Sequence, residues 1–270
     1  MIGTQEYGWL QLAKLRGLGG LGGMAWAMGL AKKAEFQSWE PLLNTTEDTD
    51  AICELARVSG LSTHSFFIAG KLHVDDVATI EKMHAIAKRA ARHGATRAMI
   101  YPHALADGDK SDSELRIQAR NLLTLSRHLN HVGVRLLYHP EEPDMLDAAR
   151  EIHRMLAQTD PKLVRFCLDP DTVWRGAGRS NMAILGLIAL YGDRIDALHI
   201  RQSQNGYWSE TVGPGDIDYP AIASALSKKG VKPLLIVEHA YEDYTPQTMN
   251  PVQAHRRSVA YVKKLFGQKS

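Results

Sequence analysis

The chain is poor in cysteine and carries almost no net charge, and each scarcity excludes a class of protein. Only Cys53 and Cys167 occur among its 270 residues. Two cysteines are too few for a disulfide scaffold and fit a reducing compartment, so we expect a cytoplasmic protein. The 32 basic and 30 acidic residues leave a formal net charge of +2, so we expect no nucleic-acid partner. The 44% of hydrophobic and 23% of charged residues are ordinary for a globular domain and exclude a disordered polymer.

Long hydrophobic runs are also lacking. Residues 17–31 form an apolar stretch after Lys14 and Arg16, as in a signal peptide, but they are too few to span a bilayer. The glycines of this stretch weaken a helix, and Lys32 and Lys33 stand where the small residues of a cleavage site belong. We therefore expect neither export nor a membrane partner.

Short apolar runs alternate with helical patterns along the whole chain. The strand candidates are residues 2–5, 36–40, 61–68, 97–103, 134–140, 163–169, 197–202 and 234–239. The helix candidates are 9–16, 47–59, 74–93, 111–131, 143–158, 180–191, 219–228 and 251–266. This alternation, with no hairpin recognised, predicts parallel strands joined by right-handed crossovers. Because about eight strands close a barrel, we predict an α/β fold, a single (β/α)8 TIM barrel over residues 1–270.

Three glycines near the N-terminus imitate a nucleotide-binding motif. Gly17, Gly19 and Gly22 fit G-x-G-x-x-G, and Glu40 lies about 20 residues further on. That fingerprint needs a strand leading into its first glycine, but residues 9–16 have helical spacing and contain two cations. We therefore interpret the glycine run as a flexible loop at the rim of the barrel.

Polar residues rich in His, Asp and Glu end the predicted strands. The set is Glu40, His64, His103, His139, Glu141, Glu142, Asp169, His199, Arg201, Gln202, Glu238 and His239. Catalysis in such barrels takes place at the carboxyl ends of the strands. His139, Asp169, His199 and Glu238 come from four successive strand–helix units, so they are expected to meet there. Two imidazoles and two carboxylates suit one Mn²⁺, Co²⁺, Mg²⁺ or Zn²⁺ ion.

Four stretches of the sequence resemble one known family. They are LLYHPEE, CLDPDTVWRGAG, ALHIRQSQNGYWSETVGPGDIDY and LLIVEHAYE, all between residues 134 and 242, with a further short match at Gly3-Thr4-Gln5 and Trp39-Glu40-Pro41. The family is that of the xylose isomerase-like TIM barrels, which includes sugar phosphate isomerases and epimerases and inosose dehydratases.

The resemblance assigns roles to individual residues. It makes Asp169, His199 and Glu238 metal ligands, and it places the fourth ligand, usually a glutamate in the family, on His139, with Glu141 as the alternative. The sequence departs from the family's pattern at His139, at Thr172, where many members have His, and at Arg201-Gln202, where many have Lys-Asp. These departures put simple epimerisation by two glutamates in doubt.

The expected activity is divalent-metal-dependent isomerisation or epimerisation of a sugar or polyol ketone. A divalent ion bound to the oxygens of a hydroxy-ketone stabilises the enediolate that forms when the α-proton leaves. Glu238 is the expected base and Glu141 or His139 its partner in proton transfer. The residues expected to bind substrate are His64, His103, Trp174, Arg201 and Asp216, with Trp208 and Glu40 as further candidates.

Three alternatives to this activity stay open. Loss of a β-hydroxyl from the same enediolate gives a dehydratase of an inosose or oxo-sugar. The departures from the family's pattern allow a non-catalytic sugar-binding barrel. Metal-dependent phosphodiester hydrolysis needs more ligands and a basic groove. The small-molecule partner is thus a sugar or polyol, and a homo-oligomer is possible because barrels of this kind often associate through their helices.

Overall fold

The computed structural model describes residues 1–106 and 108–267 and shows eight parallel strands wound into a barrel. The eight barrel strands are β1 (Ile2–Gln5), β2 (Ser38–Glu40), β3 (Ser65–Gly70), β4 (Arg97–Pro102), β5 (Arg135–Tyr138), β6 (Val164–Leu168), β7 (Ile195–Ile200) and β10 (Leu234–Val237). Two short strands, β8 (Ser203–Gln204) and β9 (Tyr207–Trp208), form a separate pair. The order in the large sheet is β2-β1-β10-β7-β6-β5-β4-β3. Single parallel bridges from Ser38 to Ser62 and from Leu42 to Phe67 join its two ends. The predicted TIM barrel is confirmed.

Helices surround the sheet and cover its outer face. They are α1 (Tyr7–Leu15), α2 (Gly20–Lys33), α3 (Thr46–Val58), α4 (Val77–Arg92), α5 (Asp112–His131), α6 (Leu146–Gln158), α7 (Pro170–Gly176), α8 (Asn181–Tyr191), α9 (Tyr219–Lys228) and α10 (Pro251–Leu265). The predicted capping box begins α5, where Ser111 and Glu114 exchange side-chain-to-backbone hydrogen bonds. No helix in the described part of the chain is long and apolar enough to cross a membrane.

A small apolar cluster fills the interior of the barrel and supports the polar end. It contains Met99, Leu137, Cys167, Ala197 and Ile236. Two residues further along the same strands come Tyr101, His139, Asp169, His199 and Glu238. Successive side chains of a strand point to opposite faces, so residues two apart share the inward face. The inward polar groups therefore lie above a dry core, at the carboxyl ends of the strands.

The glycine-rich N-terminal segment forms a helix where we expected a flexible loop. Within α2, Met24, Ala27, Met28 and Ala31 are buried. Burial of this face against its neighbours outweighs the low helix propensity of glycine. The preceding element is the helix α1, which occupies the place where a dinucleotide site requires a strand.

The expectation that the chain contains no hairpin is wrong. β8 and β9 pair antiparallel around Asn205 and Gly206, which have φ angles of 55° and 85°. Asn-Gly is the favoured pair for such a two-residue turn, so the sequence carried the signal. The hairpin follows β7 and places Trp208 at the carboxyl end of the barrel.

Candidate functional site

The four side chains predicted to bind a metal meet at the carboxyl ends of β5, β6, β7 and β10. Nδ1 of His199 lies 2.9 Å from Oε2 of Glu238 and 3.1 Å from Nε2 of His139. The same Nε2 of His139 lies 4.0 Å from Oδ2 of Asp169. These three distances link the four side chains in a row, and the donor atoms of Asp169, His199 and Glu238 all lie within 4.8 Å of one another.

These donor atoms fit a single divalent ion. Ligand atoms about 2.1 Å from one ion lie roughly 3.0 to 4.2 Å from each other in four- to six-coordinate sites. The three separations given above run from 2.9 to 4.0 Å. A second group of three donors brings in Cys167 with the two histidines. Burial raises the pKa of the Cys167 thiol to about 11, so without a metal this group is a neutral thiol.

The start of helix α7 orients Asp169. Its Oδ1 accepts hydrogen bonds from the backbone N–H groups of Asp171 and Thr172, at 2.9 and 3.1 Å. This is the N-cap interaction that aspartate favours, and it fixes the carboxylate at the end of β6. The other oxygen, Oδ2, is left to face the centre of the site.

A buried carboxylate on the opposite side of its ring holds His199. Oε1 of Glu40, at the end of β2, lies 2.8 Å from Nε2 of His199. Oε2 of Glu40 accepts a hydrogen bond from Ser65 Oγ at 2.5 Å. A carboxylate at one ring nitrogen directs the other nitrogen to a metal, which is a common arrangement around histidine ligands. Glu40 thus presents Nδ1 of His199 to the donor cluster.

The two histidines carry different charges. Burial, reinforced by the neighbouring His199, lowers the pKa of His139 to about 3, so this imidazole is neutral. Burial also opposes charge on His199, but the surrounding Cys167, Glu40 and Glu238 raise its pKa well above the usual value. A metal ligand needs the lone pair of a neutral imidazole, so His139 can coordinate an ion directly, whereas His199 must release its proton when an ion binds.

Arg201 reaches into the same site from the end of β7. Its guanidinium lies 3.3 Å from Oδ2 of Asp169, 3.1 Å from Oδ2 of Asp171 and 3.5 Å from Oε1 of Glu238. Burial alone would raise the pKa of Glu238, but Arg201 and His199 lower it to about 2. Glu238 is therefore an anion at neutral pH.

Glu141 sits at the mouth of the site, next to His139. Its Oε1 lies 3.8 Å from Nδ1 of His139, the ring nitrogen that faces away from the donor cluster, and 37% of its side chain is exposed. Burial of the carboxyl, together with Asp169 and Glu238, raises the pKa of Glu141 to about 8. In this geometry His139 contributes the fourth donor atom, and Glu141 is a separate, protonated carboxyl group.

Two of the other residues predicted to bind substrate, His103 and His64, lie at opposite ends of the barrel. His103 follows β4 directly, at the carboxyl end, with its ring 5.8 Å from that of Tyr101. His64 precedes the first residue of β3 and lies at the amino end of the strand, beside Arg97. The predicted strand 61–68 began too early, and this error moved His64 to the wrong end of the barrel.

The side chains of Trp174 and Asp216 contribute to packing and to a turn. Trp174 is 5% exposed and belongs to the hydrophobic core, so it offers no face to a sugar ring. Asp216 accepts hydrogen bonds from Ser203 Oγ and from the backbone N–H groups of Asn205 and Gly206, which brace the hairpin. The substrate contacts of Trp174 and Asp216 stay predictions, and in this structure the two side chains serve packing and the turn.

Sequence reasoning undervalued three residues of the site. Glu40 was only a further substrate candidate, and Asp171 was not considered. Trp208 lies with its ring 4.7 Å from the Arg201 guanidinium, and its Nε1 donates to Asp171 Oδ2 at 3.0 Å. The Asn-Gly turn just before Trp208 was the signal that could have placed it at the site.

Exchanging Glu40 for glutamine tests its role in positioning His199. We expect Glu40→Gln to weaken binding of Mn²⁺ or Zn²⁺ about 10- to 100-fold. Loss of a group that hydrogen-bonds to a metal-binding histidine lowers metal affinity by about this factor. Titration calorimetry of the folded variant measures the change. Glu6→Gln is the matched control, since Glu6 is a buried carboxyl after the adjoining strand β1, next to Trp39. Equal affinity in Glu40→Gln and the wild type would contradict the positioning role.

Known proteins share this fold. An inosose dehydratase from Salmonella agona (strain SL483) is 22% identical over 175 residues, which are 58% of this chain and only 56% of that protein. A D-allulose 3-epimerase from Methylomonas sp., solved in complex with D-allulose, superposes with a TM-score of 0.73 at 14% identity and covers 97% of this chain and 96% of its own. The IOLI protein, solved with a binding zinc atom, superposes with a TM-score of 0.70 at 13% identity. The match covers 99% of this chain and 98% of that protein.

The family itself is identified by a match to most of the chain. The model of the xylose isomerase-like TIM barrel matches residues 28–265, which include the four donor residues and Arg201. The strand order, the inward polar groups at the carboxyl ends and this match agree. The chain belongs to the xylose isomerase-like TIM barrel family.

Proposed function

We propose that this chain is a single-domain, divalent-metal-dependent isomerase or epimerase of a sugar or polyol ketone. The observation that supports the proposal is the meeting of His139, Asp169, His199 and Glu238 at one end of the barrel, where the three distances that link their donor atoms, 2.9, 3.1 and 4.0 Å, suit ligands of one ion. A bound divalent ion supplies Lewis-acid stabilisation of the enediolate that forms when a hydroxy-ketone loses its α-proton.

Two carboxyl groups of the chain are suited to move the proton. The environment separates their pKa values, to about 2 for Glu238 and about 8 for Glu141. Such a pair identifies an anionic base and a protonated acid. Glu238 accepts the α-proton at its carboxylate, and Glu141 returns a proton to another face or another carbon. The apolar cluster beneath the site closes it to water from the interior of the barrel.

Dehydration is the second candidate reaction, and the state of Glu141 favours it. A carboxyl group that is protonated at neutral pH donates its proton to a departing β-hydroxyl group as readily as to carbon. The relative named inosose dehydratase, at 22% identity, points to the same class of reaction. Under this alternative the metal ligands and Glu238 keep the roles given above.

Elemental analysis of the untagged protein after gel filtration tests the proposal. We expect about one equivalent of Mn, Co, Zn or Mg, since the four donors fit a single ion. The loaded protein is then incubated in D₂O with ketoses, including D-allulose and D-fructose, and with inososes. Deuterium at the α-carbon with an isomeric product supports isomerisation, and loss of water supports dehydration. Absence of metal after soaking in Mn²⁺ would overturn the proposal in favour of a sugar-binding barrel.

A further inference from the structure

Arg201 occupies a place in the site where its positive charge meets the metal ligands. Its guanidinium Nη2 donates to Oδ2 of Asp169, the oxygen that faces the donor cluster, at 3.3 Å. Its Nη1 lies 3.5 Å from Oε1 of Glu238. Both carboxylates that would hold a metal are therefore already paired with a resident cation.

The surroundings of Arg201 restrict where the guanidinium can go. Tyr219 Oη accepts a hydrogen bond from the Arg201 N–H and donates one to the Arg201 carbonyl, which fixes the backbone. The ring of Trp208 lies against the guanidinium, with 4.7 Å between its centroid and Cζ. Only 11% of the side chain is exposed, so most of it is enclosed by these neighbours.

One partner of Arg201 lies outside the set of donor residues. Nε of Arg201 is 3.1 Å from Oδ2 of Asp171, which also accepts from Trp208 Nε1 at 3.0 Å. Asp171 and the Trp208 ring would therefore still hold the guanidinium if the two ligand carboxylates turned to an ion.

We propose that Arg201 is a built-in competitor of the divalent ion and sets the affinity of the site for metal. The inference rests on the proposed function, because it takes the four donor residues to be metal ligands. Like charges repel strongly at short range in a buried site, where the effective dielectric constant is far below that of water. A divalent ion that binds must replace the guanidinium as the partner of Asp169 and Glu238. It then lies next to the positive charge of Arg201. Binding is consequently weaker than the same four ligands would give alone.

Removing the charge of Arg201 tests the inference. We expect Arg201→Met and Arg201→Gln to bind Mn²⁺ and Zn²⁺ at least tenfold more tightly than the wild type, measured in competition with a fluorescent chelator. Arg175→Met is the matched control. Arg175 is paired with the same Asp171 oxygen at 2.9 Å and lies over the same Trp208 ring at 5.0 Å, so its removal takes one charge from the neighbourhood. We expect its affinity to stay within threefold of the wild type.

A second readout guards against a folding defect in these variants. Without metal, the Arg201 variants should melt at a lower temperature, because Asp169 and Glu238 are left as unpaired buried anions. Saturating Mn²⁺ should raise their melting temperature more than it raises that of the wild type, since a ligand that binds the native state more tightly stabilises it more.

The outcomes separate this inference from the proposed function. If the wild type holds one equivalent of metal and the Arg201 variants bind it equally or more weakly, Arg201 does not compete and the inference fails alone. An equal gain in metal affinity in Arg175→Met would also overturn the inference. The gain would then come from the loss of any nearby positive charge and not from the loss of competition by Arg201. If neither the wild type nor any variant binds Mn²⁺ or Zn²⁺, the metal site itself is disproved.

Discussion

Asp169→Asn is expected to weaken binding of Mn²⁺ or Zn²⁺ at least a hundredfold while the barrel remains folded. The substitution removes the negative charge that faces the donor cluster and leaves Arg201 without this partner. Asparagine oxygen can still accept the backbone hydrogen bonds of Asp171 and Thr172, so the start of α7 is preserved. Titration calorimetry gives the affinity, and thermal unfolding gives the stability.

Asp169→Ala separates the two roles of this residue. Alanine removes both the metal ligand and the helix cap. We therefore expect metal binding to fall as in the asparagine variant, and the free energy of unfolding to fall by about 1 kcal/mol more. Comparison of the two variants attributes the loss of metal to the charge and the loss of stability to the cap. A metal-replete Asp169→Ala protein would show that Asp169 is not a ligand.

The second large effect is expected from Glu141→Gln. We expect the rate of α-proton exchange to fall about 10²- to 10⁴-fold, the range that general acid–base catalysis contributes. Glutamine cannot carry the proton that the raised pKa keeps on Glu141. Metal content should stay at the wild-type level, since Glu141 lies on the far side of His139 from the donor cluster.

The matched control for this experiment is Glu142→Gln. Glu142 is the next residue, more exposed, and its pKa is also raised by partial burial. Incorporation of deuterium from D₂O into each ketose or inosose that the wild type turns over, followed by NMR, measures the rate. Equal losses in the two variants would contradict a specific role for Glu141, and loss of metal from Glu141→Gln would return it to the ligand set.

The sequence was most informative where one physical period governs a long segment. The strand at Ile2–Gln5 and the helix at Tyr219–Lys228 have the predicted bounds, and Leu234–Val237 falls within its prediction. The donor residues at the carboxyl ends of β5, β6, β7 and β10 were predictable as partners, because parallel strands of one barrel all end on the same side. The same rule failed for His64, whose strand begins one residue after it.

Contacts between distant segments were beyond the reach of these patterns. Glu40 meets His199 across 159 positions of the chain, and no spacing rule connects β2 with β7. The burial of Trp174 and the commitment of Asp216 to the hairpin depend on packing around them. The helix over the glycine run likewise forms because its small residues pack against the barrel, which local propensity opposes.

The sequence by itself determined the barrel, its family resemblance and the four residues that face its carboxyl end. It did so because two local patterns carry this information. The alternation of strands and helices makes the strands parallel, and the alternation of side chains along each strand decides which of them face the barrel interior. Tertiary structure decided which oxygen of Asp169 is free, which nitrogen of His199 faces the cluster and where Arg201 lies. These outcomes depend on distances of a few ångström between side chains from separate strands, and only the closed barrel sets such distances.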